Sequence, residues 1–284
     1  MGLFSDILLT VDFDRTLTAP DSSIPQRNLE AIRYFIDNGG AFTVNTGRSI
    51  PMSRPRLIPE VPLSAPLLLY NGSAAYDPAT GTLSQCLPIQ LDPKAVIEDL
   101  QSRFPALTVE IQAVDAHYAF RKDPPWEAFS GNNGCAWGYA DPSEIPGPFL
   151  KFALYSVKGD TVAQMYDATE EELALFREAT EYIHNRYGEF VDTFRACPRI
   201  LDVQAKGVSK LRAARQLQQR LGRKYLVCVG DAENDLPMLE GADFAFCPSD
   251  GIIADRFPNV CPCGDGAVAE VIYEKIPLIL QNKP

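Results

Sequence analysis

The chain has 284 residues, 46% of them hydrophobic and 22% charged, which marks a soluble globular protein with room for two domains of ordinary size. Lys plus Arg number 26 and Asp plus Glu 37, a net charge of −11 that argues against a nucleic-acid partner, because phosphate backbones need a basic stripe. A phosphorylated small molecule stays open as a ligand if a metal and a few fixed cations make its site locally positive. The seven cysteines are scattered, as suits reduced buried thiols. Only Cys261 and Cys263 lie close together, and with His117 and His184 the sole histidines, zinc binding there is not expected. No basic segment precedes the short apolar run at the amino terminus, so neither a signal peptide nor a membrane span is expected, and the chain reads as cytoplasmic.

Residues 7–11, Ile-Leu-Leu-Thr-Val, read as a fully buried parallel strand running straight into Asp12 and Asp14. Ligand crevices of open α/β sheets lie outside the carboxyl ends of the strands, so carboxylates at this tip are placed for chemistry. Side chains alternate along extended backbone, which turns Asp12 and Asp14 the same way and Phe13 back toward apolar packing. Two like charges this close need either a divalent cation beside them or a shared proton. The stretch DFDRT resembles the first motif, DxDxT, of the haloacid dehalogenase superfamily of phosphohydrolases. That resemblance implies that Asp12 attacks phosphorus and Asp14 protonates the leaving oxygen. Arg15 departs from the pattern, since the family commonly has glycine there.

Residues 24–38 read as an amphipathic helix with Leu29, Ile32, Phe35 and Ile36 on one face, stopped by Gly39-Gly40. A second buried strand at 41–46 completes a crossover unit and brings Thr46 to the same sheet edge as Asp12. Thr46-Gly47-Arg48 offers a hydroxyl, a glycine amide and a guanidinium for phosphoryl oxygens. It resembles the family's second motif in its Cof-type form, TGR. Pro51, Pro55, Pro59, Pro62 and Pro66 then break any helix into short pieces. A strand at 67–70 ends in Asn71-Gly72; Asn71 is a candidate for substrate contact, although Asn-Gly is first of all a tight-turn dipeptide. Residues 74–76 and 82–87 form a hairpin.

From about residue 87 the buried parallel pattern stops. A helix at 93–104, paired strands at 108–114 and 117–121, a Pro/Gly/Asn-rich stretch at 123–147, a strand at 149–157 and a long helix opened by the capping box Thr169-x-x-Glu172 describe an inserted α+β domain. The resemblance implies the lid of the Cof-type subfamily, which closes over the site and selects the substrate. Within it, Lys151 and Arg199 interrupt apolar runs and read first as solvent-facing strand positions. The cluster Trp126, Phe129, Asn132, Asn133 and Trp137 fits either a sugar pocket or a small core.

Near residue 203 the chain returns to the first domain. Ser209 opens a helix to about 221 with Lys210 in its first turn. A lysine there can neutralise an aspartate nucleophile and a phosphoryl group. Lys206-Gly-Val-Ser-Lys210 resembles the Cof-type KGxSK, whose second lysine carries that role, so Lys210 is preferred to Lys206. A buried strand at 225–229 then runs into Gly230-Asp231-Ala-Glu-Asn234-Asp235, closely matching the family's fourth motif, GDxxND. Oxygen donors from this turn converging on the first aspartates make a hard-cation site, and so few carboxylates suit Mg2+ better than Ca2+. A strand at 244–247 and a helix at 266–275 close the chain, with Asp250 and Asp265 read as capping or turn residues.

The expected fold is a Rossmann-like, doubly wound parallel sheet built from residues 1–86 and 204–284, with an α+β cap at 87–203. The expected chemistry is Mg2+-dependent hydrolysis of a small phosphorylated metabolite, sugar phosphates first. Asp12, Asp14, Thr46 and Lys210 are the catalytic candidates. Thr46, Gly47, Arg48, Asn71, Lys210 and Asn234 are candidates for substrate contact, and Asp12, Asp14, Asp231 and Asp235 for metal. A phosphosugar mutase, or a binding protein without turnover, is the alternative.

Overall fold

The computed structural model of the chain describes residues 2–132, 134–156 and 167–281. Two compact units divide it: Met1–Thr46, Glu60–Ser84 and Ser209–Pro284 form the first, Gly47–Pro59 and Gln85–Val208 the second. These units divide at 84/85 and 208/209, and the proline-rich segment Gly47–Pro59 clusters with the second unit.

In the first unit a five-stranded parallel sheet runs in the order Asn259–Val260, Phe244–Pro248, Tyr225–Val229, Ile7–Val11, Ala41–Val44. Every residue of Ile7–Val11 and Ala41–Val44 is buried, which is why these runs lack a polar alternation. Val11 stands in register with Val229 on one side and Val44 on the other, so Asp12, Gly230 and Asn45 leave the sheet at one level. An antiparallel sheet of Leu67–Leu69, Ala74–Asp77 and Thr82–Ser84 joins this edge through a parallel bridge between Asn45 and Leu68. Leu8, Leu68, Leu217, Leu226 and Met238 pack into one core between sheet and helices. Each such side chain contributes roughly 1.5–3 kcal/mol relative to exposure.

Helix Gln26–Asp37 buries Asn28, Ala31, Ile32 and Phe35, while Leu29 and Ile36 of the expected stripe are only half-buried. Asn28 takes their place because its amide donates to the Leu17 carbonyl (3.0 Å) and accepts from the Ala269 N–H (2.9 Å). At the carboxyl end, Ala267–Glu270 continues through a wide turn at Val271–Lys275 into Ile276–Gln281, past the stop expected at 275.

The second unit holds a six-stranded sheet in the order Val191–Cys197, Ile200–Ala205, Lys151–Tyr155, Thr108–Gln112, His117–Ala119, Trp137–Tyr139. It is antiparallel except for its last pair. One face packs Val109, Ile111, Phe152, Leu154 and Val203 against Val96, Leu100, Phe176 and Ile183 of helices Pro93–Arg103 and Glu170–Tyr187. The capping box read at Thr169 and Glu172 opens the second of these helices. Strand alternation sends Glu110, Gln112, Lys151, Tyr155, Asp202 and Gln204 to the opposite face, where all six are also buried.

Within the Pro/Gly/Asn-rich stretch 123–147, Pro124–Asn132 is a helix and Trp137–Tyr139 a strand, and for Lys151 and Arg199 the expectation is corrected. The two prolines occupy the helix's first turn, where no N–H is needed, and the buried Trp126 and Phe129 hold it in place. Lys151 and Arg199 do not face solvent: Lys151 pairs with Asp202 (2.6 Å) and Arg199 with Glu172 (3.0 Å), all four buried. Of the aromatic and polar cluster, Trp126 is fully buried core whereas Trp137 is 38% exposed. Asn133, and Val157 at the end of the strand expected at 149–157, lie outside the described residues.

Candidate active site

At the shared edge of the parallel sheet, four sequence-selected side chains meet. Lys210, in the first turn of helix Lys210–Arg220 behind its Ser209 cap, extends a buried ammonium that donates to Asp12 Oδ1 (2.6 Å) and Asp235 Oδ1 (2.7 Å). The other oxygen of Asp235 accepts from the backbone N–H groups of Asp231 (3.0 Å) and Ala232 (3.2 Å), which folds the turn back on the strand tip. A Cβ on Gly230 would stand 2.6 Å from the Cβ of Asp235, so this turn admits only glycine at that position. Asp231 accepts a hydrogen bond from Thr16 Oγ1 (2.9 Å), linking the first and last acidic segments directly.

Oxygens of Asp12, Asp231 and Asp235 lie within 4.8 Å of one another, and all three residues are buried. One ammonium cannot neutralise three carboxylates. Burial, more than any neighbour, pushes the Asp12 carboxyl well above the usual range; Lys210 opposes this, while Asp235, Asp231 and Asp14 add to it. Asp231 is raised to about 7, by burial first and Asp235 next, against the opposing Thr16 hydrogen bond, Lys210 and Arg15. Burial alone would lower the Lys210 ammonium, but Asp12 and Asp235 outweigh it and hold the group protonated above its ordinary range. A dry, oxygen-only donor set with surplus negative charge fits a hard divalent cation.

The remaining sequence candidates fall around this cluster or apart from it. Asp14 is half-buried on the wide turn Phe13–Leu17, which is broken by Arg15 at φ +60°. Thr46 is buried, and its carbonyl accepts from the Asn71 N–H (3.0 Å). Asn71 itself is buried with φ +53°, so it is both the turn residue its dipeptide announced and a strand-tip side chain. Asn234 sits half-buried on the turn Glu233–Asp235. Gly47 and Arg48 follow Thr46 but cluster with the second unit. Lys206, in the second unit, pairs with Asp192 (2.6 Å), with half of its side chain exposed. Cys263 donates through Sγ to Asp250 (3.2 Å), and Cys261 is in no disulfide.

Sequence reasoning missed Asn45 and gave Thr16 no partner. Asn45, wholly buried, donates to the Lys210 carbonyl (2.9 Å), fixing the start of the helix that carries the lysine. Its position directly before Thr46, at the end of a buried strand, was the available signal. Among the described residues, no helix is long and apolar enough to cross a membrane.

Comparison with known proteins places this geometry in a wider setting. Residues 9–252 match the family model for haloacid dehalogenase-like hydrolases. The chain is 24% identical over 255 residues, covering 87% of itself and 88% of its relative, to the 5-amino-6-(5-phospho-D-ribitylamino)uracil phosphatase YitU of Bacillus subtilis (strain 168). Its fold is similar to that of a haloacid dehalogenase-like hydrolase from Bacteroides thetaiotaomicron, with TM-score 0.78 at 19% identity over 95% of this chain and 98% of the other. It is also similar to that of the subclass IIB sugar phosphatase BT4131, with TM-score 0.73 at 15% identity over 93% and 97%.

Proposed function

The chain belongs to the haloacid dehalogenase-like hydrolases, and from that premise we propose that it is a Mg2+-dependent phosphomonoester hydrolase working through an aspartyl-phosphate. The observation that carries the proposal is the pairing of Lys210 with both Asp12 and Asp235 inside a buried, under-neutralised acidic cluster. Asp12 Oδ attacks phosphorus in line, and the bond from phosphorus to the ester oxygen breaks while Asp14 gives that oxygen its proton. Asp14, now ionised, takes a proton from water as the water oxygen attacks phosphorus. The Asp12–phosphorus bond breaks, and inorganic phosphate leaves. Lys210 orients Asp12, opposes the rise that burial imposes on its carboxyl, and stabilises the carboxylate that leaves in the second displacement.

Asp12, the backbone carbonyl of Asp14 and Asp231, with Asp235 behind, would hold the cation, which when bound offsets charge on the phosphoryl oxygens. Thr46, the Gly47 amide, Arg48, Asn71 and Asn234 are proposed to hold and orient the phosphate ester. A small phosphorylated metabolite, with sugar phosphates first, is the proposed substrate class. Two relatives support it: one is named as acting on a phosphoribityl compound and another as a sugar phosphatase.

The test is turnover of p-nitrophenyl phosphate followed by a panel of phosphorylated sugars, nucleotides and cofactors. Activity that requires Mg2+, stops with chelator and disappears in Asp12→Asn supports the reading. Wild-type protein inert toward the whole panel overturns it.

A further inference from the structure

Outside the acidic cluster, a second buried titratable group lies within the inserted unit. His117 Nε2 is 2.7 Å from Ser49 Oγ, and its Nδ1 is 3.1 Å from Glu110 Oε1. Glu110 also accepts from Gln112 Nε2 (2.9 Å) and Tyr155 Oη (3.1 Å) at Oε1 and from Trp126 Nε1 at Oε2, so with His117 four donors surround it. Ser49 Oγ accepts from the Met52 N–H (3.2 Å) and has its own proton left for His117. With its Nδ1 donating to Glu110, the imidazole lies between the carboxylate and the Ser49 hydroxyl, and each of the three has a partner.

Serine, histidine and carboxylate in this order form the relay of serine hydrolases. Ser49 is 0% exposed, however, so no ester can meet its oxygen, and the relay holds a segment in place instead of attacking anything. The same segment has a second tie, because Lys151, neutralised by Asp202, donates to the Gly47 carbonyl (3.0 Å). The two ties grip residues 47 and 49. Arg48 lies between them.

We infer that His117 and Lys151 are positioning residues that clamp the backbone on both sides of Arg48 to the strands of the inserted unit, and so fix the place of Arg48 within that unit. The inference rests on the phosphatase reading for its substrate-side consequence, while the clamp itself stands on these contacts. A residue fixed at both neighbours loses little freedom when it binds, and its precision depends on the groups that fix it.

The test uses the full-length protein as His117→Phe, Ser49→Ala and Lys151→Met, with Ser49→Thr as the variant that retains the hydroxyl. Trypsin cleavage after Arg48 and Arg56 is expected to quicken about tenfold in the first three, and to stay near wild type in Ser49→Thr. With the best ester from the panel and saturating Mg2+, KM is expected to rise about tenfold with kcat changed less than about threefold. Should His117→Phe fail to fold, Ser49→Ala carries the same test. Unchanged cleavage, faster cleavage with unchanged KM, or a fall in kcat at constant KM would each overturn the proposal. Wild-type protein without turnover would remove the phosphatase reading alone, since the tryptic arm reads the clamp without any substrate.

Discussion

Two buried carboxylate clusters, one in each unit, meet opposite fates. Burial pushes Glu110 up, but His117 and then hydrogen bonds from Gln112 and Trp126 overcome it and hold the carboxyl below its usual range. Burial pushes Asp12 and Asp231 up as well, and there a single lysine set against three carboxylates leaves both raised. Burial is the largest single cause for all three, and the supply of donors differs. A buried charge given its full set of donors is architecture, whereas one left short of positive charge stores unfavourable energy that a bound cation can release. The acidic cluster of the parallel-sheet unit is therefore left in electrostatic deficit, and Glu110 of the inserted unit is not.

The most direct way to break this contrast is to remove the ammonium that pairs with two carboxylates of the deficient cluster. Lys210→Met is expected to lower kcat/KM by about a thousandfold or more, and to destabilise the metal-free protein near neutral pH by about 3–5 kcal/mol, because Asp12 and Asp235 lose their buried partner. Steady-state kinetics and urea unfolding read the two effects, and added Mg2+ should recover part of the stability and none of the activity. In the satisfied cluster, Glu110→Ala is expected to cost about 2–4 kcal/mol by leaving the Trp126, Tyr155 and His117 donors without their acceptor. Mg2+ should not restore any of it.

A smaller effect separates the clusters by pH. Asp231 is raised to about 7 in the folded protein, against about 4 for an unperturbed aspartate, so between those values the folded state binds more protons than the unfolded one. Stability of the metal-free protein should therefore fall as pH rises from about 4 to about 7, and level off above. Asp12 works in the same direction. Glu110 works in the other, since its lowered value contributes stability that is present above about 4.5 and lost as pH falls. Asp231→Asn should flatten the upper slope, raise metal-free stability at pH 8 by about 1–3 kcal/mol and remove the thermal shift caused by Mg2+. Thermal midpoints across pH, with and without the metal, decide it; a slope that survives in Asp231→Asn with undiminished Mg2+ stabilisation would mean that the deficit lies elsewhere.

Most of the deficient cluster was legible from sequence because its signal is local. Apolar runs at 7–11 and 225–229 lead into aspartates within two residues, and a buried strand that stops in charge marks the polar crevice at its own tip. The Ser209 cap and the Thr169 capping box were legible for the same reason, each resting on neighbours within one turn. What stayed hidden depends on distant partners. Lys151 looked like a surface residue until Asp202, some fifty positions later on the neighbouring strand, was brought within reach diagonally across from it. Asn28 and Asn45 resembled ordinary polar residues on a helix and at a strand end, yet each satisfies backbone groups far away in sequence. The Pro124–Asn132 helix was masked by its leading prolines, since its buried Trp126 and Phe129 are apparent only once a sheet lies beneath them. Two side-chain ties that no local pattern encodes also run from Gly47–Pro59 to strands of the inserted unit.

The smallest expected effect tests the choice between two lysines four residues apart. Lys206 and Lys210 both lie within 2.7 Å of a carboxylate, so distance alone does not rank them. Solvent does. The Lys206 and Asp192 side chains are 50% and 32% exposed, whereas Lys210 and Asp235 are each 1% exposed. Water and salt screen the first pair, and Asp192 keeps the Gly207 N–H as a donor when the lysine is gone (2.8 Å). Lys206→Ala should therefore change stability by less than about 0.5 kcal/mol, diminishing further in 0.5 M salt, with kcat and KM at wild-type values. A loss of kcat in Lys206→Ala comparable to that in Lys210→Met would move the motif lysine to the other position, and with it the claim that burial, and not proximity to an aspartate, decides which ammonium acts.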